Sequence, residues 1–312
     1  MAPTSAQGLH GVLVVDKPAG LTSHDVVDAV RRGLGVRRAG HTGTLDPFAT
    51  GVLAVCVGKA TRLARFLAGP EKEYRATVRL GFATTTDDAT GEPLGPPRPV
   101  EGNETAVRAA CASLLGPQLQ VPPAYSARRV GGRRLYELAR QGVAVERAPS
   151  PVSVHAIEVR SCAGDTVEID VRCSPGTYIR ALARDLGESL GVGGHLLALR
   201  RTRTGSFDLS QAVSWGDAPS VWSDRLVPLS GLLADLPAVR LGVEAAAMLR
   251  HGRDLGRNHV EEGFPDGHPP ERLRLLGRDG ALLALAVPRG FEVPGPGLTL
   301  EAVLHPDVVL LD

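Results

Sequence analysis

The 312-residue chain has little of what marks several common classes of protein. Its four cysteines form no Cys-x-x-Cys pair and none has a histidine at metal-ligand spacing, which argues against a zinc site or a redox dithiol. No apolar run approaches the ~20 residues needed to cross a bilayer. The first seven residues lack the basic and apolar segments of a secretory signal. We therefore expect a cytoplasmic protein without a membrane anchor, a metal or a cofactor.

Lysine is also scarce, since only Lys17, Lys59 and Lys72 accompany 32 arginines. The formal net charge of +1 argues at first against a nucleic-acid partner. This total, however, combines a net +7 over residues 1–203 with a net −6 over residues 204–312. Residues 125–147 and 172–203 carry six arginines each. Such an asymmetry favours a polyanionic partner, because guanidinium groups match phosphate oxygens. A salt-bridged surface and a compositional bias of the genome remain alternatives.

Apolar patterns predict interleaved strands and helices without regular βαβ spacing, which indicates an α+β protein with a mixed sheet. Thr22 and Asp25 form a candidate capping box, which predicts a helix to about residue 33. A second amphipathic helix is predicted over residues 177–191, and strand patterns are centred on residues 52–57, 74–80, 152–159, 166–173 and 196–199. After about residue 236 the pattern changes to one helix, a polar loop and then alternating apolar residues. We expect one domain over residues 1–236 and a small β-rich domain over residues 237–312.

The most informative segment is the glycine-rich stretch of residues 40–51, which contains His41 and Asp46. A lone carboxylate on such a loop can be a nucleophile, a base or a metal ligand. Asp-Pro in a glycine-rich loop is, however, more often only a turn, and a single histidine is more often a structural hydrogen-bonding group. From the residues alone, both interpretations stay open.

A resemblance favours the catalytic interpretation. Residues 40–53, Gly-His-Thr-Gly-Thr-Leu-Asp-Pro-Phe-Ala-Thr-Gly-Val-Leu, closely resemble the catalytic motif of the TruB family of tRNA pseudouridine-55 synthases. Five further segments resemble the other motifs of this family in the same order: residues 11–23, 72–81, 122–140, 176–187 and 194–201. The six matched segments are distributed in order over residues 11–201. It implies a mainly antiparallel pseudouridine synthase sheet and, more weakly, a PUA-like C-terminal domain.

The resemblance implies an isomerisation in which uracil leaves its ribose carbon, turns and is rejoined through carbon 5. Asp46 matches the essential nucleophile, although the sequence does not tell whether it attacks the ribose or the ring. Arg180 matches the arginine that pairs with it, and Tyr74 the tyrosine that packs on the target base. Further matched positions are expected to bind the substrate: Lys17, His41, Asp88, Tyr178 and Leu199.

The expected partner is the T-arm stem-loop of tRNA, bound by a monomer without an obligate protein partner. Its phosphate backbone is expected to meet Arg128, Arg129, Arg200 and Arg201. In the family, the loop after the tyrosine strand usually has an acidic residue at its second position, and here Thr85 replaces it.

Two alternative functions remain. One is an RNA-binding or RNA-folding module with incidental or lost activity. The other, a metal-dependent phosphoesterase using His41 and Asp46, needs more clustered carboxylates and histidines than the chain offers.

Overall fold

The computed structural model describes residues 8–69, 71–100, 103–126, 128–141, 143, 145–265, 268–290 and 302–311. Residues 1–7, on which the prediction about a secretory signal depends, lie outside this part of the chain. The strands of the first 230 residues are, in chain order, β1 Gly11–Lys17, β2 Ala39–His41, β3 Thr50–Val57, β4 Lys72–Leu80, β5 Gly116–Gln120, β6 Arg129–Val130, β7 Arg133–Arg134, β8 Ser150–Ala163, β9 Thr166–Cys173, β10 Gly194–Thr204, β11 Phe207–Asp208, β12 Val213–Ser214 and β13 Val227–Pro228.

Eleven of these strands form one sheet, whose main path runs β12-β1-β3-β10-β4-β9-β8-β5. Strands β11, β13 and β2 extend it beside β10, β1 and β3. Two pairs, β1 with β12 and β3 with β10, are parallel, and the other pairs of the sheet are antiparallel. Strands β6 and β7 make a separate short ribbon. The α+β fold class with a mixed, mainly antiparallel sheet is confirmed.

Seven α-helices accompany the strands in the part of the chain that the structure describes, and none is long and apolar enough to cross a membrane. They are α1 Ser23–Gly33, α2 Ala64–Leu67, α3 Glu104–Ser113, α4 Leu135–Arg140, α5 Ile179–Ser189, α6 Pro219–Asp224 and α7 Val243–Arg250. Short 3₁₀ turns occupy Gly58–Leu63, Leu209–Gln211, Leu229–Gly231 and Arg257–His259.

Helices α1 and α5 are fixed by different local features. The predicted capping box at α1 is present: the Thr22 Oγ1 accepts from the Asp25 amide at 3.1 Å, and the Asp25 carboxylate accepts from the Thr22 amide at 2.8 Å. Helix α5 instead buries an apolar face that includes Leu182 and Leu186 against β4 and β10. A Cβ atom on Gly187 would lie 2.1 Å from the Gly194 amide nitrogen, so glycine is required for this close packing.

The C-terminal part of the chain forms a second sheet of five strands, in the order β15-β14-β16-β17-β18. The strands are β14 Ala238–Leu241, β15 Val260–Glu262, β16 Leu273–Leu276, β17 Leu282–Arg289 and β18 Val303–Val309. Leu285 and Leu310 share a hydrophobic core with Val12 and Val52 of the large sheet, so the small β-rich unit packs directly on the first. The division at residues 236 and 237 precedes β14 and stays a prediction.

Candidate active site

The loop between β2 and β3 carries Asp46 and is fixed by buried polar side chains from other elements. The Ser23 hydroxyl at the start of α1 accepts from the Leu45 amide at 2.8 Å and donates to the Leu45 carbonyl at 3.0 Å. The Lys17 ammonium donates to the carbonyls of Pro18, Leu21 and Pro47 at 2.9, 2.7 and 3.2 Å. Hydrogen bonds therefore fix the backbone of Leu45 and Pro47, the residues immediately before and after Asp46.

A third support of the same loop comes from β10. Arg201 is 1% exposed, and its guanidinium donates to the carbonyls of Val52, Gly43 and Thr44 at 2.7, 3.0 and 3.4 Å. Gly51, the second residue of β3, has a φ of +98°, and a Cβ atom there would lie 2.1 Å from the Arg201 carbonyl oxygen. Glycine at this position lets β3 and β10 pair closely, which brings Arg201 under the loop.

Arg180, near the N-terminus of α5, is the centre of the site. It is 4% exposed, and its Nε lies 2.9 Å from Asp46 Oδ2, while its Nη1 lies 3.3 Å from Asp88 Oδ2. Hydrogen bonds run from Nη1 to the Thr86 carbonyl at 3.0 Å, and from Nη2 to the Tyr125 carbonyl at 2.7 Å and to Asp46 Oδ1 at 3.3 Å. One guanidinium thus binds two carboxylates and two carbonyls, which fixes both its position and its orientation.

Asp88 reaches Arg180 because of a tight turn. Asp87 has a φ of +59°, a conformation that is uncommon for a residue other than glycine. This turn directs the Thr86 carbonyl and the Asp88 carboxylate toward Arg180, and Asp87 itself binds Arg184 at 3.0 Å. The Asp88 carboxylate also accepts from the Thr86 hydroxyl at 2.7 Å and the Thr90 amide at 3.0 Å. Strain in the turn is therefore offset by a dense set of polar contacts.

Burial and nearby positive charge shift the pKa of the Asp46 carboxyl in opposite directions. Burial raises the pKa of the Asp46 carboxyl above its ordinary value, while Arg180 and Lys17 act to lower it. Burial also raises the pKa of the Tyr74 phenol, so at neutral pH this group keeps its proton. The pKa of Lys72 is lowered by burial and by the nearby charge of Arg201. The Asp46 side chain remains 34% exposed, so a substrate can reach its carboxylate.

A cavity of about 220 Å³ opens at this carboxylate. Its wall includes four residues expected from the sequence in addition to Asp46: Tyr74, Tyr178, Arg180 and Leu199. Lys72 and Ser126 also line it and were not expected. Lys72 could have been found, because it lies two positions before Tyr74 on β4 and so shares its face of the strand. Nothing in the local sequence pattern singles out Ser126.

Three of the expected substrate-binding residues lie outside the cavity wall. Lys17 is fully buried and bound to the loop carbonyls, and Asp88 lies behind Arg180. His41 lies on β2, where its buried Nδ1 has no hydrogen-bond partner among the described residues. Burial and the charge of Arg201 lower the pKa of His41, so the neutral ring is favoured. Contact of these three residues with a substrate stays a prediction.

The four arginines expected at an RNA backbone have different surroundings. Arg128 is half-buried and donates to the Ala148 carbonyl at 3.0 Å. Only the backbone of Arg129 is described, so the prediction for its side chain lies outside the described structure. Arg200 forms a two-pronged ion pair with Asp16, at 3.0 and 2.7 Å. The buried guanidinium of Arg201 faces loop carbonyls rather than solvent.

No group of three or more His, Cys, Asp or Glu side chains in the described ranges is arranged to hold a metal ion. The chemistry that the arrangement offers is that of one carboxylate, fixed and paired with a permanent cation, at the wall of a cavity with two tyrosines. Such a carboxylate can attack an electrophilic carbon or accept a proton.

Comparison with known proteins shows the family of the chain. A family model described as TruB family pseudouridylate synthase, N-terminal domain, matches residues 31–179, and one described as tRNA pseudouridylate synthase B C-terminal domain matches residues 180–224. A tRNA pseudouridine synthase B of Thermobifida fusca is 49% identical over 286 residues, which cover 88% of this chain and 94% of that protein. One of Burkholderia pseudomallei is 43% identical over 284 residues, covering 90% and 93%.

Solved structures show the same architecture. The structure of a Cbf5-Nop10-Gar1 complex contains a chain that is 27% identical, with a TM-score of 0.71 and coverage of 97% of this chain and 85% of that one. A chain of an H/ACA RNP bound to a substrate RNA containing 2'-deoxyuridine is 24% identical, with a TM-score of 0.70 and coverage of 100% and 92%. At 24% identity, the similarity to the RNA-bound chain shows only that the fold is shared.

Proposed function

Because this chain belongs to the TruB family of pseudouridylate synthases, we propose that it converts uridine to pseudouridine in tRNA, at position 55 of the T-arm. The observation that carries the proposal is the Asp46–Arg180 ion pair in the wall of a cavity that also contains Tyr74. A volume of about 220 Å³ is below the ~300–1,000 Å³ of drug-sized ligand sites and suits a single base.

In the proposed reaction the target uridine leaves its stack and enters the cavity, at a cost of a few kcal/mol. The bond between ribose C1' and uracil N1 breaks, the base turns, and a bond from C1' to C5 replaces it. The hydrogen of C5 then leaves as a proton, and N1, which has lost its bond to the ribose, takes up a proton. No electrons are gained or lost overall, and the product is an isomer of the substrate.

Each cavity residue has a role that follows from its surroundings. Asp46 is the nucleophile, and Arg180 stabilises its ionised form against the effect of burial. Tyr74 packs on the base and keeps its phenolic proton, which makes it a hydrogen-bond donor. Tyr178, which immediately precedes α5, and Leu199 of β10 enclose the base. Arginines of residues 125–147, among them the half-buried Arg128, hold the RNA backbone.

The reaction is tested with an unmodified tRNA transcript that carries tritium on C5 of its uridines. We expect the protein to release label from one site per molecule, because formation of the C1'–C5 bond displaces that hydrogen. A transcript with cytidine at position 55 is the matched control and is expected to release none. Binding of the transcript without release of label would instead support the RNA-binding module. Release from the control transcript would contradict the proposed site.

A further inference from the structure

The hydroxyl of Ser126 is buried beside the catalytic cavity, and no described residue forms a hydrogen bond with it. The residue is 4% exposed and lines the cavity together with Asp46 and Tyr74. Its Oγ has no hydrogen-bond partner among the described residues. Burying a hydroxyl in this way costs free energy, and such exceptions in folded proteins call for an explanation. A ligand that supplies the missing hydrogen bond is one such explanation.

The loop that carries Ser126 is fixed at four points. The Gln120 side chain exchanges two hydrogen bonds with the Tyr178 backbone, at 2.8 and 3.1 Å. Arg184 donates to the Val121 carbonyl at 3.2 Å and Arg147 to the Pro122 carbonyl at 3.1 Å. The carbonyl of Tyr125, the residue before Ser126, accepts from Arg180 at 2.7 Å. The unpartnered hydroxyl is therefore held in place by the same arginine that orients Asp46.

We propose that the Ser126 hydroxyl donates a hydrogen bond to a carbonyl oxygen of the uracil in the cavity, an inference that rests on the function proposed above. Uracil offers two such acceptors, O2 and O4. When the bond from C1' to N1 breaks, its electron pair stays on the ring and spreads onto these oxygens. A prearranged donor at one of these oxygens then stabilises the transition state more than the bound substrate. Ser126 is thus a base-recognition residue that also acts on the rate.

The first experiment compares Ser126→Ala with the wild type in single turnover at saturating enzyme. We expect the rate of pseudouridine formation to fall on the order of 10- to 100-fold. The Kd for tRNA is expected to stay within about two-fold, since most of the binding involves the RNA backbone. The melting temperature should not fall, because the hydroxyl gives up no protein partner. Ser113→Ala, the same change on the exposed side of α3, is the control and should leave the rate unchanged.

The second experiment identifies the contacted atom and remains informative if Ser126→Ala also changes stability. Transcripts carry 2-thiouridine or 4-thiouridine at the target site, because sulfur is a weaker acceptor than oxygen. We expect the deficit of Ser126→Ala to shrink on one of the two, at the carbonyl that Ser126 contacts. A full rate in Ser126→Ala, or an equal deficit on all three transcripts, would overturn the proposal. Absence of reaction between the wild-type protein and the unmodified uridine transcript would instead refute the proposed function itself.

Discussion

The two arginine-rich segments of this chain look alike in the sequence but differ in the structure. In residues 172–203, Arg180 and Arg201 are almost completely buried and bind carboxylates or loop carbonyls at the site. In residues 125–147, Arg128, Arg133 and Arg147 are exposed or half-buried and donate to neutral acceptors. Arg180 and Arg201 support the catalytic loop, whereas Arg128, Arg133 and Arg147 remain at least partly exposed to solvent. A cluster of arginines in the sequence therefore does not tell which of the side chains will be buried in the fold and which will be exposed.

The largest effect is expected from Arg180→Met. This change leaves Asp46 and Asp88 near each other without their shared cation, and breaking a buried pair from one side costs about 3–5 kcal/mol. We expect single-turnover activity to fall by about 1,000-fold or more and the melting temperature to drop. Label release and thermal unfolding measure the two effects. An unchanged melting temperature would show that Arg180 does not hold the site together.

Arg201→Met tests whether the second buried arginine supports the loop or meets RNA. Carbonyls of Gly43, Thr44 and Val52 lose their donor, and a buried group left unsatisfied costs about 1–3 kcal/mol. We expect lower stability and a fall in rate on the order of 10- to 100-fold. The salt dependence of tRNA binding should stay as in the wild type. A weaker salt dependence at unchanged stability would make Arg201 a phosphate contact.

The pH profile sharpens the role of Arg180. Burial raises the pKa of Asp46 above the ordinary 3.8, and the nucleophile must be ionised, so activity is present above this pKa and lost as the pH falls through it. Arg180→Lys keeps a charge but loses the two-pronged contact with Asp46, so the acidic limb should move to higher pH. Single-turnover rates across the acidic range measure the shift. If the acidic limb stays at its wild-type position, Arg180 does not control the pKa of Asp46.

The smallest effect is expected at the surface. Arg128→Ala, alone or with Arg129→Ala, should weaken tRNA binding a few-fold and reduce the salt slope by about 0.7–0.9 for each phosphate that is no longer neutralised. Stability and the single-turnover rate at saturation should not change. Arg108→Ala, which removes an exposed arginine paired with Glu104 on α3, is the matched control. An unchanged slope would place Arg128 in the solvated surface that the sequence also allowed.

The sequence predicted what depends on neighbouring residues and missed what depends on distant ones. Helix α1 begins at its capping box as predicted, because Thr22 and Asp25 are three positions apart. Strand β10 was expected to end near Leu199 but continues to Thr204, because it pairs with β4 and Arg201 finds acceptors in the Asp46 loop. The carbonyl acceptors of Arg201 lie about 150 residues away in the chain, where local pattern carries no signal.

The site followed the same rule. Asp46 and Arg180 were paired by resemblance to a family, not by any local pattern, since 134 positions separate them. Arg200 and Arg201 were both expected at the RNA backbone, because a count of charges does not include the carboxylate of Asp16 and the loop carbonyls that the fold brings to them. Lys72 and Ser126 were missed for a related reason: their importance comes from the cavity they share.

The central claim is that Asp46 carries the chemistry while exposed arginines carry the binding. It is tested most directly by single-turnover pseudouridine formation in Asp46→Asn, which has nearly the same shape without the charge, together with its Kd for tRNA. The account predicts no detectable product and a Kd within about two-fold of the wild type, since nucleophile and backbone contacts are separate. Product formed by Asp46→Asn at the wild-type rate would contradict it.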